Sequence, residues 1–174
     1  LSGLGSKIVQ QLHTSGYEVV VIETDSNNKY VNSVRGLGIP VIQGDASFRT
    51  ILQTSNVTSA SAVLAVTSND ATNLEIALKA KGLAPKSPVI VHYADPDFAG
   101  MAQQVFDFEA VLSPAELAAP AFAAAALGGR ILGNGITADK LWVAFATLIT
   151  PSHPFCGKLV KEIAVSADFV PLYL

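Results

Sequence analysis

Five short runs of almost uninterrupted apolar, mostly β-branched residues recur along the chain, separated by stretches with helical spacing. The runs are Val19-Val20-Val21-Ile22-Glu23, Ile39-Pro40-Val41-Ile42-Gln43, Ala62-Val63-Leu64-Ala65-Val66-Thr67, Val89-Ile90-Val91-His92 and Ala110-Val111-Leu112. A strand with one wet face alternates apolar and polar residues, whereas a continuous run suits a strand covered on both faces, as in a parallel sheet. Between the runs, Ile8, Val9 and Leu12 share a helical face, as do Tyr30, Val31, Val34 and Leu37. Phe48, Ile51 and Leu52 make a turn or two, followed by Leu74, Ala77 and Leu78, then Met101, Ala102, Val105 and Phe106. Such alternation implies β-α-β crossovers, so the sequence predicts an α/β fold: a doubly wound parallel sheet with helices on both faces.

That pattern has to absorb an unusual composition. Of 174 residues, 50% are apolar and only 14% charged, against about 25% charged in ordinary soluble domains. Mean hydropathy is +0.42. A disordered chain lacks this much apolar surface. A membrane span is not expected either. The uncharged run Thr50–Asn69 contains eleven Ser, Thr, Asn and Gln residues, and Leu117–Gly129 has only 13 residues, too few for a bilayer. Leu141–Gly157 is broken by Pro151, His153 and Pro154. No signal peptide is expected, because the chain opens inside a motif. A net charge of -3 argues against nucleic-acid binding through many phosphate contacts. The single cysteine, Cys156, excludes an intrachain disulfide framework and a cysteine zinc cluster, and it reads as a small buried residue. His13, His92 and His153 have no metal-ligand spacing, and His13 and His153 read as surface residues.

Toward the C-terminus the texture changes. A helix opens at Ser113-Pro114-Ala115-Glu116, with Ser113 as cap, Pro114 in first position and Glu116 able to complete a capping box. Pro120 is expected to kink or interrupt it, and Gly128-Gly129 to stop it. Its Ala118, Ala119, Phe122, Ala123 and Ala126 suit close packing or a dimer contact. Beyond, Gly133-Asn134-Gly135 reads as a turn, Leu141–Thr150 as a long strand, Lys158–Ile163 as a helical turn and Phe169–Leu174 as a last strand. Trp142, Phe122, Phe145 and Phe155 read as core or interface. The expected division is 1–128 and 129–174, the second part being the start of a small α+β lobe. Both the first strand and the last lobe are expected to be cut short in this sequence.

The chemistry is concentrated at the front. Leu1-Ser2-Gly3-Leu4-Gly5-Ser6-Lys7 carries a Gly-x-Gly of the kind that, between a strand and a helix, lets backbone approach a pyrophosphate at the helix N-terminus. The third glycine of the G-x-G-x-x-G pattern is absent, with Ile8 in its place. Three additional residues between Ser6 and Lys7 would bring Ile8 and Leu12 into the usual sheet-facing register, so a short glycine-containing piece is expected to be missing there. A plain tight turn accounts for the two glycines equally well. Glu23 ends the second predicted strand 18 residues after Gly5, where an acid can hold a ribose diol and repel a 2′-phosphate. This favours NAD(H) or an adenine nucleotide over NADP; the bland alternative is a solvated acid at a strand end.

Further motifs stand at strand ends, where open α/β sheets bind ligands: Gly44-Asp45-Ala46, Thr67-Ser68-Asn69-Asp70 with Asn73, and His92-Tyr93 with Asp95-Pro96. With Gly3-Leu4-Gly5 and Glu23, this series resembles the regulator of potassium conductance (RCK) domain family, which includes Trk-type potassium-uptake regulatory subunits and potassium-channel gating domains. The resemblance covers residues 1 to about 127. It extends more loosely to Gly157-Lys158-Leu159-Val160-Lys161-Glu162, the family's entry to a C-terminal ligand-sensing lobe.

The resemblance implies a Rossmann-like fold and a role for each site residue. Gly3, Gly5 and Ser6 would line the phosphates, and Glu23 would hold the adenosine ribose. Asp45 and Ala46 would border the adenine; Asp45 can equally cap the following turn, and Asn69 and Asp70 the following helix. Thr67, Asn69 and Asp70 would lie over the pyrophosphate or distal nucleoside, with Asn73 bracing the loop. His92 stands where the family often has an arginine able to meet a terminal phosphate, which leaves triphosphate specificity open.

No positioned acid, base or nucleophile accompanies this set. Only about 45 residues follow, too few for an ordinary substrate domain. The expectation is therefore a non-enzymatic sensor, cytoplasmic and held at the inner face of the membrane by its partner. It would bind NAD(H) or ATP/ADP and form a homo-oligomer that gates a membrane-embedded potassium channel or transporter. The alternatives are an NAD-dependent oxidoreductase fragment and a structural domain that has lost its nucleotide.

Overall fold

The computed structural model describes residues 1–126, 130–137, 140–166 and 169–171. Each predicted run supplies one strand: β1 (Val21–Glu23), β2 (Val41–Gln43), β3 (Val63–Ala65), β4 (Val89–His92) and β5 (Ala110–Leu112). The helices are α1 (Gly3–Thr14), α2 (Val31–Gly36), α3 (Arg49–Thr54), α4 (Asp70–Leu83), α5 (Pro96–Val105) and α6 (Pro114–Ala126), with a single 3₁₀ turn at Val57–Ser59. Several strands are shorter than the runs that announced them. Two begin just after a proline, which cannot donate to a ladder. The carbonyls of Pro40 and Pro88 still accept from Val21 (3.0 Å) and Val63 (2.9 Å), so each proline marks the first rung.

Every pairing among these five strands is parallel, in two ladders: β1 with β2, and β3–β4–β5. The strand order thus moves away from β1 in one direction and away from β3 in the other, which makes the space between them the topological switch point. Residues 1–5 lie there. Leu1 lies against the Glu23 side chain at the end of β1. Gly5, in turn, faces Val66 just past β3.

The main core gathers Leu52, Val57, Ala65, Ile76, Ala77, Ala80, Val89 and Val91 with α5 residues Ala99 and Ala102. Ile22 of β1 packs against it, so both ladders share one interior. Val9, Val21, Val34 and Ile39 form a second cluster. Burial of each such valine is worth about 1.5–3 kcal/mol, enough to commit the register of strands only three or four residues long.

Two hydroxyls in this interior lack hydrogen-bond partners among the described residues, Tyr93 Oη and Ser113 Oγ. Tyr93 is fully buried, its ring edge-on to Phe98 at 5.0 Å. Burial first, and the Asp70 carboxylate second, raise its pKa above the ordinary tyrosine value. Ser113 does not cap α6 as expected: the helix does begin at Pro114, yet Leu117 N donates to the Ser113 carbonyl at 3.2 Å while the hydroxyl stays unpartnered.

The chain divides into two compact units, residues 1–117 and 118–174. The division falls inside α6, and within the second unit Ala121, Phe122 and Ala125 line an apolar groove with Ile131 of the following strand. α6 also runs through Pro120 without interruption; the expected stop at Gly128-Gly129 lies outside the described residues. In the second unit β6 (Arg130–Thr137) and β7 (Lys140–Ala146) form an antiparallel ribbon, and α7 (Val160–Ser166) follows. Gly133-Asn134-Gly135 is therefore strand, not turn. The Trp142 indole lies across Gly135, where an added Cβ would come within 2.7 Å of it. β7 ends at Ala146, short of the expected Thr150, because its partner begins at Arg130. Phe169–Pro171 is irregular, and the rest of that expected strand lies outside the described residues. Cys156, expected to be buried, is exposed. Phe122 (77%), Phe145 (51%) and Trp142 (46%) are exposed in the chain alone.

Two outcomes follow from the packing of the first unit. A Cβ on Gly44 would lie 2.6, 3.0 and 3.2 Å from three atoms of Ile51, a β-branched side chain that cannot swing clear of all of them. Gly44→Ala is expected to cost about 1–3 kcal/mol in urea unfolding, and to cost less when combined with Ile51→Ala than the single changes sum to. The raised pKa of Tyr93 means that the folded state holds its proton more tightly than the unfolded chain does. Its contribution to stability is thus complete below about pH 10 and is lost as pH rises through the folded pKa. Ultraviolet titration is expected to show a tyrosine component that ionises above the ordinary tyrosine range. Tyr93→Phe should remove that late component, with little or no loss of stability at neutral pH because the hydroxyl it deletes is unpartnered.

Candidate functional site

The Gly-x-Gly is the first turn of α1 rather than a loop ahead of it. Ser2 is the N-cap: its backbone is extended, and its Oγ accepts from Gly5 N at 3.1 Å. The helix passes unbroken through Ser6 and Lys7, where a missing piece was expected. Because it starts at Gly3, Gly5, Ser6 and Val9 form its buried face, while Ile8 and Leu12, expected to face the sheet, are half-buried. Position 5 is closely packed: an added Cβ would meet Leu1 Cδ1 at 3.1 Å and Val66 at 3.6 Å. The N–H groups of Gly3 and Leu4 stay open, as first-turn donors do. Gly3 is exposed; Gly5 and Ser6 are buried beneath it.

Glu23, 8% exposed, is fixed at the end of β1. Its carboxylate accepts from Asp25 N at 2.9 Å and Thr24 Oγ1 at 3.2 Å. Its carbonyl accepts from Gly44 N at 3.0 Å, which carries the β2 end, with Asp45 and Ala46, alongside. Asp45 does cap its own turn, Oδ1 accepting from Ser47 N at 2.8 Å. Ala46 packs against the main core. Lys79 of α4 reaches over to the Ser47 carbonyl, tying this loop to the next helix.

The ends of β3 and β4 are joined by one side chain. Asn73 is fully buried in α4. Its Oδ1 accepts from Thr67 N at 2.8 Å and Thr67 Oγ1 at 2.7 Å, and its Nδ2 donates to the carbonyls of Thr67 (3.1 Å) and His92 (2.9 Å). Both amide hydrogens and both oxygen lone pairs are thereby used. His92 Nδ1 sits 3.0 Å from the Thr67 carbonyl, which can only accept, so Nδ1 carries the proton and Nε2 is left over. Asn69 caps α4 through Thr72 N at 2.8 Å. The Asp70 carboxylate accepts from Ala94 N at 3.0 and 3.1 Å, holding the β4–α5 connection. Asn69 and Asp70 therefore have structural duties.

All the residues singled out in the sequence stand at the carboxyl ends of β1, β2, β3 and β4 or on the first turns of α1 and α4. Sequence reasoning missed Tyr30, which it assigned to an apolar helical face. Its hydroxyl lies over Gly3, 3.2 Å from where a Cβ would stand. Among the described residues no group of three His, Cys, Asp or Glu side chains is placed to hold a metal ion, and no helix is long and apolar enough to cross a membrane.

The Trk system potassium uptake protein TrkA homolog of Pyrococcus abyssi is 30% identical over 120 residues, covering 67% of this chain and 52% of that protein. Its Pyrococcus horikoshii counterpart is 29% identical over the same length. The chain thus spans about half the length of the curated relatives it matches. Among solved structures, the TrkA-N domain of the Escherichia coli inner membrane protein ybaL superposes with a TM-score of 0.62 at 21% identity, covering 70% of this chain and 88% of that one. The NAD(P)-binding domain of an exopolyphosphatase-related protein from Archaeoglobus fulgidus gives 0.61 at 18%, covering 73% and 92%. The GsuK channel bound to NAD gives 0.60 at 17%, covering 95% of this chain and 29% of that one, and GsuK bound to ADP gives 0.55 at 16%, covering 65% and 29%. At these identities the superpositions establish the parallel-sheet, Rossmann-like fold. The TrkA-N domain family model matches residues 1–114, well over half of the chain, and the chain belongs to that family.

Proposed function

We propose that this chain is the nucleotide-sensing part of a potassium-transport regulator, and that it binds NAD(H) or an adenine nucleotide at the carboxyl edge of the sheet. The observation that carries this reading is the convergence of an open α1 N-terminus, a fixed Glu23 and the Asn73-locked loops around one switch point. Gly3 and Leu4 N–H groups would meet the pyrophosphate, with Gly5 and Ser6 beneath them giving the backbone its close approach. Glu23 would hold the adenosine ribose, and Asp45 and Ala46 would border the base. Thr67, Asn69 and Asp70 would bound the distal half, braced by Asn73, and His92 Nε2 would be available to a phosphate or ribose there. Trk-type relatives and the nucleotide-bound GsuK structures support the assignment.

The reading is of a regulator, not a catalyst. Ligand binding would bias a homo-oligomer between two arrangements and so gate a membrane-embedded potassium channel or transporter, with the domain on the cytoplasmic side. The second unit supports assembly: Phe122 projects beside the apolar groove of Ala121, Ala125 and Ile131, and the ribbon exposes Trp142 and Phe145. Such surface on a lone chain marks an interaction site.

Saturation is the direct test. NAD or ADP at about 100 times its Kd stabilises by about 2.7 kcal/mol, which for a chain of this size raises the melting midpoint by roughly 5–10 °C. Glu23→Ala should shrink the shift for NAD, and NADP should give a smaller shift than NAD with the parent chain. Absence of any shift with NAD, NADH, ADP and ATP at millimolar concentration would refute the reading. Consumption of the nicotinamide absorbance in the presence of a small hydroxy or keto acid would favour an oxidoreductase instead.

A further inference from the structure

We infer that Lys29 and Tyr30 are the pair that recognises the diphosphate of the ligand, an inference that rests on the nucleotide reading above and adds to it two residues outside the motif. The loop from Thr24 to Tyr30 is tied to the front of α1: Asn28 Nδ2 donates to the Leu1 carbonyl at 2.9 Å, and Asn28 Oδ1 accepts from Tyr30 N at 3.0 Å. This holds the half-buried Tyr30 so that its hydroxyl covers Gly3, against the face where any other residue would carry a side chain. The hydroxyl makes no hydrogen bond among the described residues and can donate to an anion standing on the Gly3 and Leu4 N–H groups. Lys29 Nζ lies 4.9 Å from the centre of the Tyr30 ring, a cation–π contact that keeps the ammonium beside the same helix end.

The charge balance makes a cation necessary there. The N-terminus of a helix offers about half a positive charge, and α1 has no acidic residue in its first turn. The end of β1 and the loop after it, however, carry the carboxylates of Glu23 and Asp25, and Lys29 is the only cationic residue from 23 to 30. A diphosphate arriving at Gly3 therefore meets two carboxylates and one ammonium between Glu23 and Tyr30. Lys29 offsets the repulsion, and Tyr30 supplies a fixed donor. The uncharged adenosine moiety has no such need, which separates this pair from Glu23 in function.

The test uses two probes, ADP and adenosine, titrated calorimetrically into the parent chain, Tyr30→Phe and Lys29→Gln. Loss of one hydrogen bond to a charged oxygen is expected to weaken ADP binding about tenfold in Tyr30→Phe. Lys29→Gln should weaken it several-fold and flatten its dependence on salt. Adenosine affinity should be unchanged in both. ADP binding equal to that of the parent in both variants overturns the inference and leaves the nucleotide reading standing, as does an equal loss for adenosine and ADP. Failure of the parent chain itself to bind ADP overturns both.

Discussion

Asn73 is the constraint on which the carboxyl edge depends. The parallel strands β3 and β4 share their last rung at Ala65 and Val91, and beyond it the groups of Thr67 and His92 on the facing edges have no partner strand, although His92 still pairs with Leu112 of β5 on its other side. A single buried amide on α4 satisfies the Thr67 N–H and hydroxyl and both carbonyls. Its orientation is fixed by its partners, since an N–H can only donate and a carbonyl only accept. Every orphaned buried group would cost about 1–3 kcal/mol, so the network is kept whole or the loops rearrange. From it follow the protonated Nδ1 of His92, the position of Asn69 as helix cap and the anchoring of the β4–α5 connection by Asp70.

Glu23 plays the corresponding part on the other side of the switch point, holding the Thr24–Asp25 turn through its carboxylate and the β2 end through its carbonyl. Residues 1–5 run between the two systems, and Gly5 packs between the side chains of Leu1 and Val66. The site is thus assembled from strand ends whose positions are dictated by core packing, and its polar groups are largely occupied with one another. Asp45, Asn69 and Asp70 each act as caps or braces, a role compatible with the ligand contact proposed for them because first-turn N–H groups and phosphates occupy the same region of a helix.

Much of this was legible in the sequence because burial on both faces of a parallel strand leaves continuous apolar runs, and all five runs became strands. The residues at their ends, from Glu23 to His92, were legible for the same reason: the fold puts ligands at strand ends. What escaped was set by contacts distant in sequence. Where α1 begins is decided by the Ser2 cap and by the packing of Gly5, so the Gly-x-Gly became helix instead of loop. Gly135 is a strand residue because Trp142 lies across the ribbon, and Tyr30 meets Gly3 through a loop tied down by Asn28. Ser113 carried every local sign of a helix cap, yet its hydroxyl is unpartnered. The excess of apolar residues, unusual for so weakly charged a chain, divides between a shared interior in the first unit and exposed aromatics in the second.

The central claim is that nucleotide enters at the switch point between β1 and β3. Amide hydrogen exchange, followed residue by residue with and without saturating NAD, tests it most directly. The account predicts slowed exchange in residues 3–6, 23–30, 44–46, 67–73 and 92–95, with the ribbon of the second unit unaffected in the lone chain. Slowed exchange confined to residues 118–174, or none in those five segments when NAD is bound, would contradict it.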